Sequence, residues 1–124
     1  MRAQGRRAKE RKESKVSAKV WDKPLVTWWD HFVDDREPHL FSIPIAGGEP
    51  TAITLGTGYS LSRAEPGADG YDISPDGAEV AFAADVDAAG VDSNYDIFVV
   101  PATGGTARNL TTDNPADDGG PLYS

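Results

Sequence analysis

The sequence predicts an all-β fold assembled from repeated antiparallel units, and three observations carry that expectation. "LFSIPIAGGEPTAIT", Leu40 to Thr54, aligns without a gap with "IFVVPATGGTARNLT", Ile97 to Thr111, at an offset of 57. Identities fall at Phe41/Phe98, Pro44/Pro101, Gly47/Gly104, Gly48/Gly105 and Thr54/Thr111, and aliphatic residues face aliphatic ones. Short runs of β-branched and aromatic residues alternate with turns rich in Gly, Pro and Asp, the pattern of strands and hairpins. Helix formers concentrate in "RRAKERKESK", which has no apolar stripe to dock, so a helix there is marginal.

Taken in order, residues 1–15 form a basic linker or excursion loop, and strands begin at Val16 with "VSAKVW" and "LVTWWDHFV" on either side of a turn at Asp22-Lys23-Pro24. "DDREP" is a hairpin loop, "HLFSIPI" a strand, "AGGE" a tight turn whose Gly47 and Gly48 accept positive φ, and "PTAITL" the returning strand. "GTGYSLSRAEPGADG" is a long connection. Residues 16–70 are thus read as a partial unit with its connection. Residues 71–112 supply a complete four-stranded one: "YDIS", "EVAFAAD", "YDIFVVPA" and "ARNLT". In the turn between the first two, Pro75 fixes φ, Asp76 bonds back to nearby amides and Gly77 takes the left-handed conformation. Alternation places Val80 and Phe82 on one face and Glu79, Ala81 and Ala83 on the other, whereas "YDIFVVPA" reads as covered on both faces. "PLYS" at the C-terminus echoes the start of "YDISPDG", Ser124 matching Ser74, so residues 113–124 are expected to open a further unit and the chain to stop inside a repeat.

Composition excludes several classes. Met1 to Lys23 holds nine Lys/Arg against three acids, whereas Pro24 to Ser124 holds three against seventeen, within a net charge of −8. Such an acidic body repels phosphate backbones, and the basic leader lacks the interleaved aromatics of a nucleic-acid arm, so no nucleic-acid partner is expected. There is no Cys, which excludes disulfides and thiolate chemistry without fixing the compartment. No run approaches the ~18 apolar residues of a membrane-spanning helix, and no apolar stretch follows the N-terminal basic residues as in a secretory signal.

A repeat of four short antiparallel strands with a turn after the innermost is the sequence form of a β-propeller blade. The chain is therefore expected to form a partial propeller of about two blades with a basic N-terminal excursion. "DISPDGAEVAFAADVD" followed by "NYDIFVVPATGGTARNLTTD" resembles the WD40-like, TolB-type propeller repeat. The wider stretch from Arg11 to Ser124 is similar to the propeller of prolyl oligopeptidase (S9) family serine peptidases of the acylaminoacyl or dipeptidyl type. That similarity rests on Trp29-Asp30-His31-Phe32 followed by His39-Leu40-Phe41. It implies a non-catalytic propeller fragment whose partners are further blades and a C-terminal α/β-hydrolase domain, with short peptides as the parent's substrate. A TolB-like binding or scaffold propeller with no enzyme attached is the alternative.

Site chemistry in the residues themselves is thin. "GTGYS" at Gly56 to Ser60 lacks Gly-x-Ser-x-Gly spacing, so no catalytic nucleophile is assigned. Asp30 and His31, adjacent on one expected strand, point to opposite faces and make no dyad. His31 and His39 lack the carboxylate pair or spacing of a zinc site. Asp85, Asp87 and Gly90 sit at positions 1, 3 and 6 of a calcium-loop spacing, but Ala89 replaces the ligand at position 5 and Asp96 the glutamate at position 12. Asp113, Asp117 and Asp118 read as connection chemistry, and Trp21, Trp28 and Trp29 as aromatics packed between blades. No metal, cofactor or catalytic residue is assigned.

Overall fold

The computed structural model describes residues 27–28, 31–32, 36–62, 67–87 and 93–124, which fall into two units, Met1–Arg36 and Glu37–Ser124. In the first, β1 (Thr27–Trp28) pairs antiparallel with β2 (His31–Phe32), Thr27 opposite Phe32 and Trp28 opposite His31. This corrects the single strand expected across "LVTWWDHFV". The pairing of Trp28 with His31 makes the run a hairpin, and its sequence carries an Asp, a residue type poor in strands and favoured in turns. The basic leader and "VSAKVW" lie outside the described residues.

Among its described residues the second unit is all-β apart from one 3-10 turn at Ala68–Gly70. β3 (Phe41–Ser42) and β4 (Thr51–Ala52) form a short hairpin. β5 (Tyr71–Ile73), β6 (Glu79–Asp85), β7 (Tyr95–Pro101) and β8 (Arg108–Asn109) form a four-stranded antiparallel sheet in sequential order. The sheet is open. β3 is shorter than "HLFSIPI" suggested because Pro44 has no N–H to extend the ladder; its carbonyl instead accepts from the Gly47 N–H at 2.8 Å, turning the chain.

The β5–β6 turn is held by side chains as well as by backbone. The Ser74 hydroxyl donates to Asp76 Oδ1 at 2.6 Å and accepts from the Glu79 N–H at 3.0 Å, while Asp76 Oδ1 also accepts from the Ala78 N–H at 3.0 Å. Gly77 takes φ 70°, the left-handed region a β-carbon disfavours. Its N–H donates to the Ser74 carbonyl at 2.8 Å.

Register assigns the two faces of the sheet. Val80, Phe82 and Ala84 pair across from Val100, Phe98 and Asp96, so these six share one face; Ala81, Ala83, Val99 and Ile97 share the other. Phe82, Ala84 and Val100 are fully buried, and Phe98 nearly so. The cover comes from the preceding hairpin and its connection: Ile53 joins the core cluster, with Leu40, Tyr59 and Leu61 packed against it. The Tyr59 ring centroid lies 4.2 Å from that of Phe98. Burial of these aliphatic and aromatic side chains is the main stabilising term for the unit.

The sequence repeat is also a geometric one. Phe41 pairs with Ala52 as Phe98 pairs with Asn109, and Ser42 with Thr51 as Val99 with Arg108. The Ile53 N–H donates to the Leu40 carbonyl at 2.9 Å, and at the same offset Leu110 donates to Ile97 at 2.8 Å. Gly47 to Pro44 and Gly104 to Pro101 are both 2.8 Å. The Thr54 hydroxyl accepts from the Leu40 N–H and the Thr111 hydroxyl from the Ile97 N–H, each at 3.0 Å. φ is 89° at Gly47 and 85° at Gly104.

Candidate functional site

A cleft of about 540 Å³ opens at one end of the sheet, where His39, Leu61, Tyr71, Tyr95 and Asp118 converge with the 3-10 turn. β7 positions Tyr95 opposite Asp85 on the face away from the Phe82 core. Burial pushes the Tyr95 phenol up from its ordinary value, the Asp85 carboxylate adds to this, a hydrogen bond with Ser62 opposes it, and Asp117 adds again. The phenol is therefore a neutral hydrogen-bonding group at physiological pH. Asp118 Oδ1 accepts from Asn114 Nδ2 at 2.9 Å, while its buried Oδ2 has no hydrogen-bond partner among the described residues. A cleft lined by two tyrosines and two aspartates, Asp69 and Asp118, suits binding of a small polar group; among the described residues it shows no nucleophile held against a base.

The hydroxyl–imidazole contact beside it is structural. His39 Nδ1 lies 3.3 Å from the Thr54 hydroxyl, but that hydroxyl is fully buried and already accepts the Leu40 N–H. Its offset counterpart Thr111 makes the same backbone bond with no imidazole needed. Ser60, in the "GTGYS" stretch, forms a β-bridge with Asp85, its carbonyl accepting from the Asp85 N–H at 2.9 Å.

The remaining acidic residues are divided among separate tasks. Asp85 Oδ1 accepts from the Asp87 N–H at 2.9 Å and the Asn94 N–H at 3.2 Å, closing its own loop. Asp96 lies on the opposite face, 4 % exposed, with Oδ2 accepting from Asn109 Nδ2 at 2.6 Å. Asp85 and Asp96, at the first and last positions of the calcium-like spacing, are thus not directed at one point. Among the described residues no group of three or more His, Asp or Glu gathers as a metal site. Asp117 Oδ1 accepts from the Tyr95 N–H at 2.9 Å and the Asp118 N–H donates to the Tyr95 carbonyl at 2.7 Å, so these two residues tether the C-terminal segment to β7. Asp113 is exposed. Trp21, Trp29, Asp30, Ala89, Gly90 and the side chains of Trp28 and His31 lie outside the described residues, and with them the orientation argued for Asp30 and His31.

No family model, curated protein or solved structure matches the chain. The site is therefore read from its own geometry. Sequence reasoning missed Tyr59, Tyr71, Tyr95 and Ser62. Tyr59 was legible only as an aromatic residue inside a Gly-rich connection, an expensive side chain to leave in water. The tyrosines of the cleft carry no sequence signal, since each opens a strand whose pattern is explained by packing alone.

Proposed function

We propose that this chain is a non-catalytic segment of a β-propeller wall belonging to an S9-type serine peptidase, in which stacked blades limit access of short peptides to an α/β-hydrolase domain. What supports the reading is the duplicated hairpin: two repeats with one register and one set of hydrogen bonds at an offset of 57, the hairpin of the first packed on the sheet that contains the second. The role assigned to the chain is steric, because none of the hydroxyls and carboxylates described around the cleft forms an activated nucleophile. The expressed chain is expected not to hydrolyse acyl-peptide, aminoacyl or dipeptidyl chromogenic substrates; turnover that co-purifies with it through successive columns would overturn the reading. The longer reading frame separates the peptidase from a propeller that only binds. Further repeats followed by Gly-x-Ser-x-Gly in a domain of about 250 residues support the peptidase, and repeats alone contradict it.

A further inference from the structure

Among the described residues one repeat-to-repeat contact is made, and the two halves of another are left unmatched. In the contact that is made, Ile53 and Leu40 of the first hairpin pack on the face of the four-stranded sheet that carries Phe98 and Val100. Their counterparts at the 57-residue offset are less covered. Ile53 is 3 % exposed but Leu110 47 %; Phe98 and Val100 are 1 % and 0 % exposed but Phe41 and Ile43 are 52 % and 59 %. The turn glycines agree. A β-carbon at Gly104 would meet the Ala52 carbonyl at 3.3 Å and Thr51 Cγ2 at 3.4 Å, whereas one at Gly47 would meet nothing within 4 Å. Thr51 fills the slot at Gly104, and the slot at Gly47 is vacant. The residue equivalent to Thr51 is Arg108, exposed, and two positions past Gly47 lies exposed Glu49.

We propose that these halves bind each other between molecules. The Leu110 face of one copy seats on the Phe41–Ile43 face of a second copy, with Arg108 entering the slot at Gly47 and meeting Glu49. The occupant is argued from the intramolecular contact, which displays what such a face accepts, and from the charge complementarity of Arg108 and Glu49. Because the two faces differ, the interface is heterologous and runs head to tail, building closed rings or open chains of copies. The inference rests on the repeat packing that also supports the propeller reading, and it does not depend on the peptidase assignment.

Light scattering of the full chain across a concentration series at low salt tests it. The native chain is expected to gain mass with concentration. Arg108→Glu and Glu49→Arg should each weaken association about tenfold or more through a like-charge contact, and the double exchange should restore it. Leu110→Asp should abolish association in either background. A native chain that stays monomeric overturns the proposal, as does equal association by both single variants; failure of the double exchange to restore overturns the register. Hydrogen exchange at the Ile53 amide keeps the two readings apart. A monomer with Ile53 protected overturns the association alone, and an unprotected Ile53 overturns the packing beneath it.

Discussion

Thr54 and Thr111 show how one side chain can fix a strand end. Each hydroxyl takes up a backbone N–H that the two-residue ladders beside it leave unpaired, Leu40 in one repeat and Ile97 in the other. Replacing either by Val keeps the shape and removes the acceptor. Thr54→Val should cost about 1–3 kcal/mol in a denaturant melt, the usual penalty for a buried donor left unmet. Thr111→Val should cost no more than Thr54→Val, since Thr111 is less buried, and Ser should rescue both. Asp76 belongs to the same scale. The Ser74 hydroxyl and then the Ala78 N–H hold its carboxyl below the ordinary aspartate value. Its folded pKa is depressed, so the stability it contributes is present above the unfolded value of about 3.9 and is lost as pH falls through the folded one. Asp76→Asn should lower the melting midpoint at pH 7 and flatten its decline in acid; an unchanged acid profile would contradict the linkage.

Among the elements, the two glycine turns allow a matched comparison. Gly47 and Gly104 have nearly the same positive φ, so alanine at either should cost about 1–2 kcal/mol for the left-handed backbone. Only at Gly104 does the new methyl also press on a backbone carbonyl of the neighbouring repeat, and Gly104→Ala should cost on the order of 1 kcal/mol more than Gly47→Ala. Equal costs in paired melts would show that the repeats do not meet there. Elements of this kind were legible where turn chemistry and apolar pattern agreed: Ser74 to Gly77 reversed the chain as their side chains required, β6 put Val80 and Phe82 on one face as its alternation assigned, and β7 is buried on both faces, at Phe98, Val99 and Val100, as its apolar run suggested. "LVTWWDHFV" pairs with itself, Trp28 opposite His31, where its apolar aromatic run outweighed the turn signal of a single Asp. The cleft was not legible, because it is made by a loop, a 3-10 turn and a tail that lie far apart in the sequence.

At the scale of the whole molecule, stability is concentrated in one sandwich of hairpin on sheet. Phe82 stacks on Phe98 with centroids 5.6 Å apart at its centre. Phe82→Ala should cost about 3–5 kcal/mol, a large share of what holds a small domain folded. Calcium should leave the unfolding midpoint unchanged, because Asp85 and Asp96 serve opposite faces; a clear calcium-dependent rise would contradict that assignment. The packing of the hairpin on the sheet is tested most directly by amide hydrogen exchange on a solution dilute enough to keep the chain monomeric. A two-residue hairpin has no stability of its own, so any protection across residues 39–54 must come from the sheet beneath it. The amides of Leu40 and Ile53 are expected to open with the same free energy as those of the core positions Val80 to Ala84 and Phe98 to Val100, as one cooperative unit. Free exchange at Leu40 and Ile53 beside a protected four-stranded sheet would contradict it.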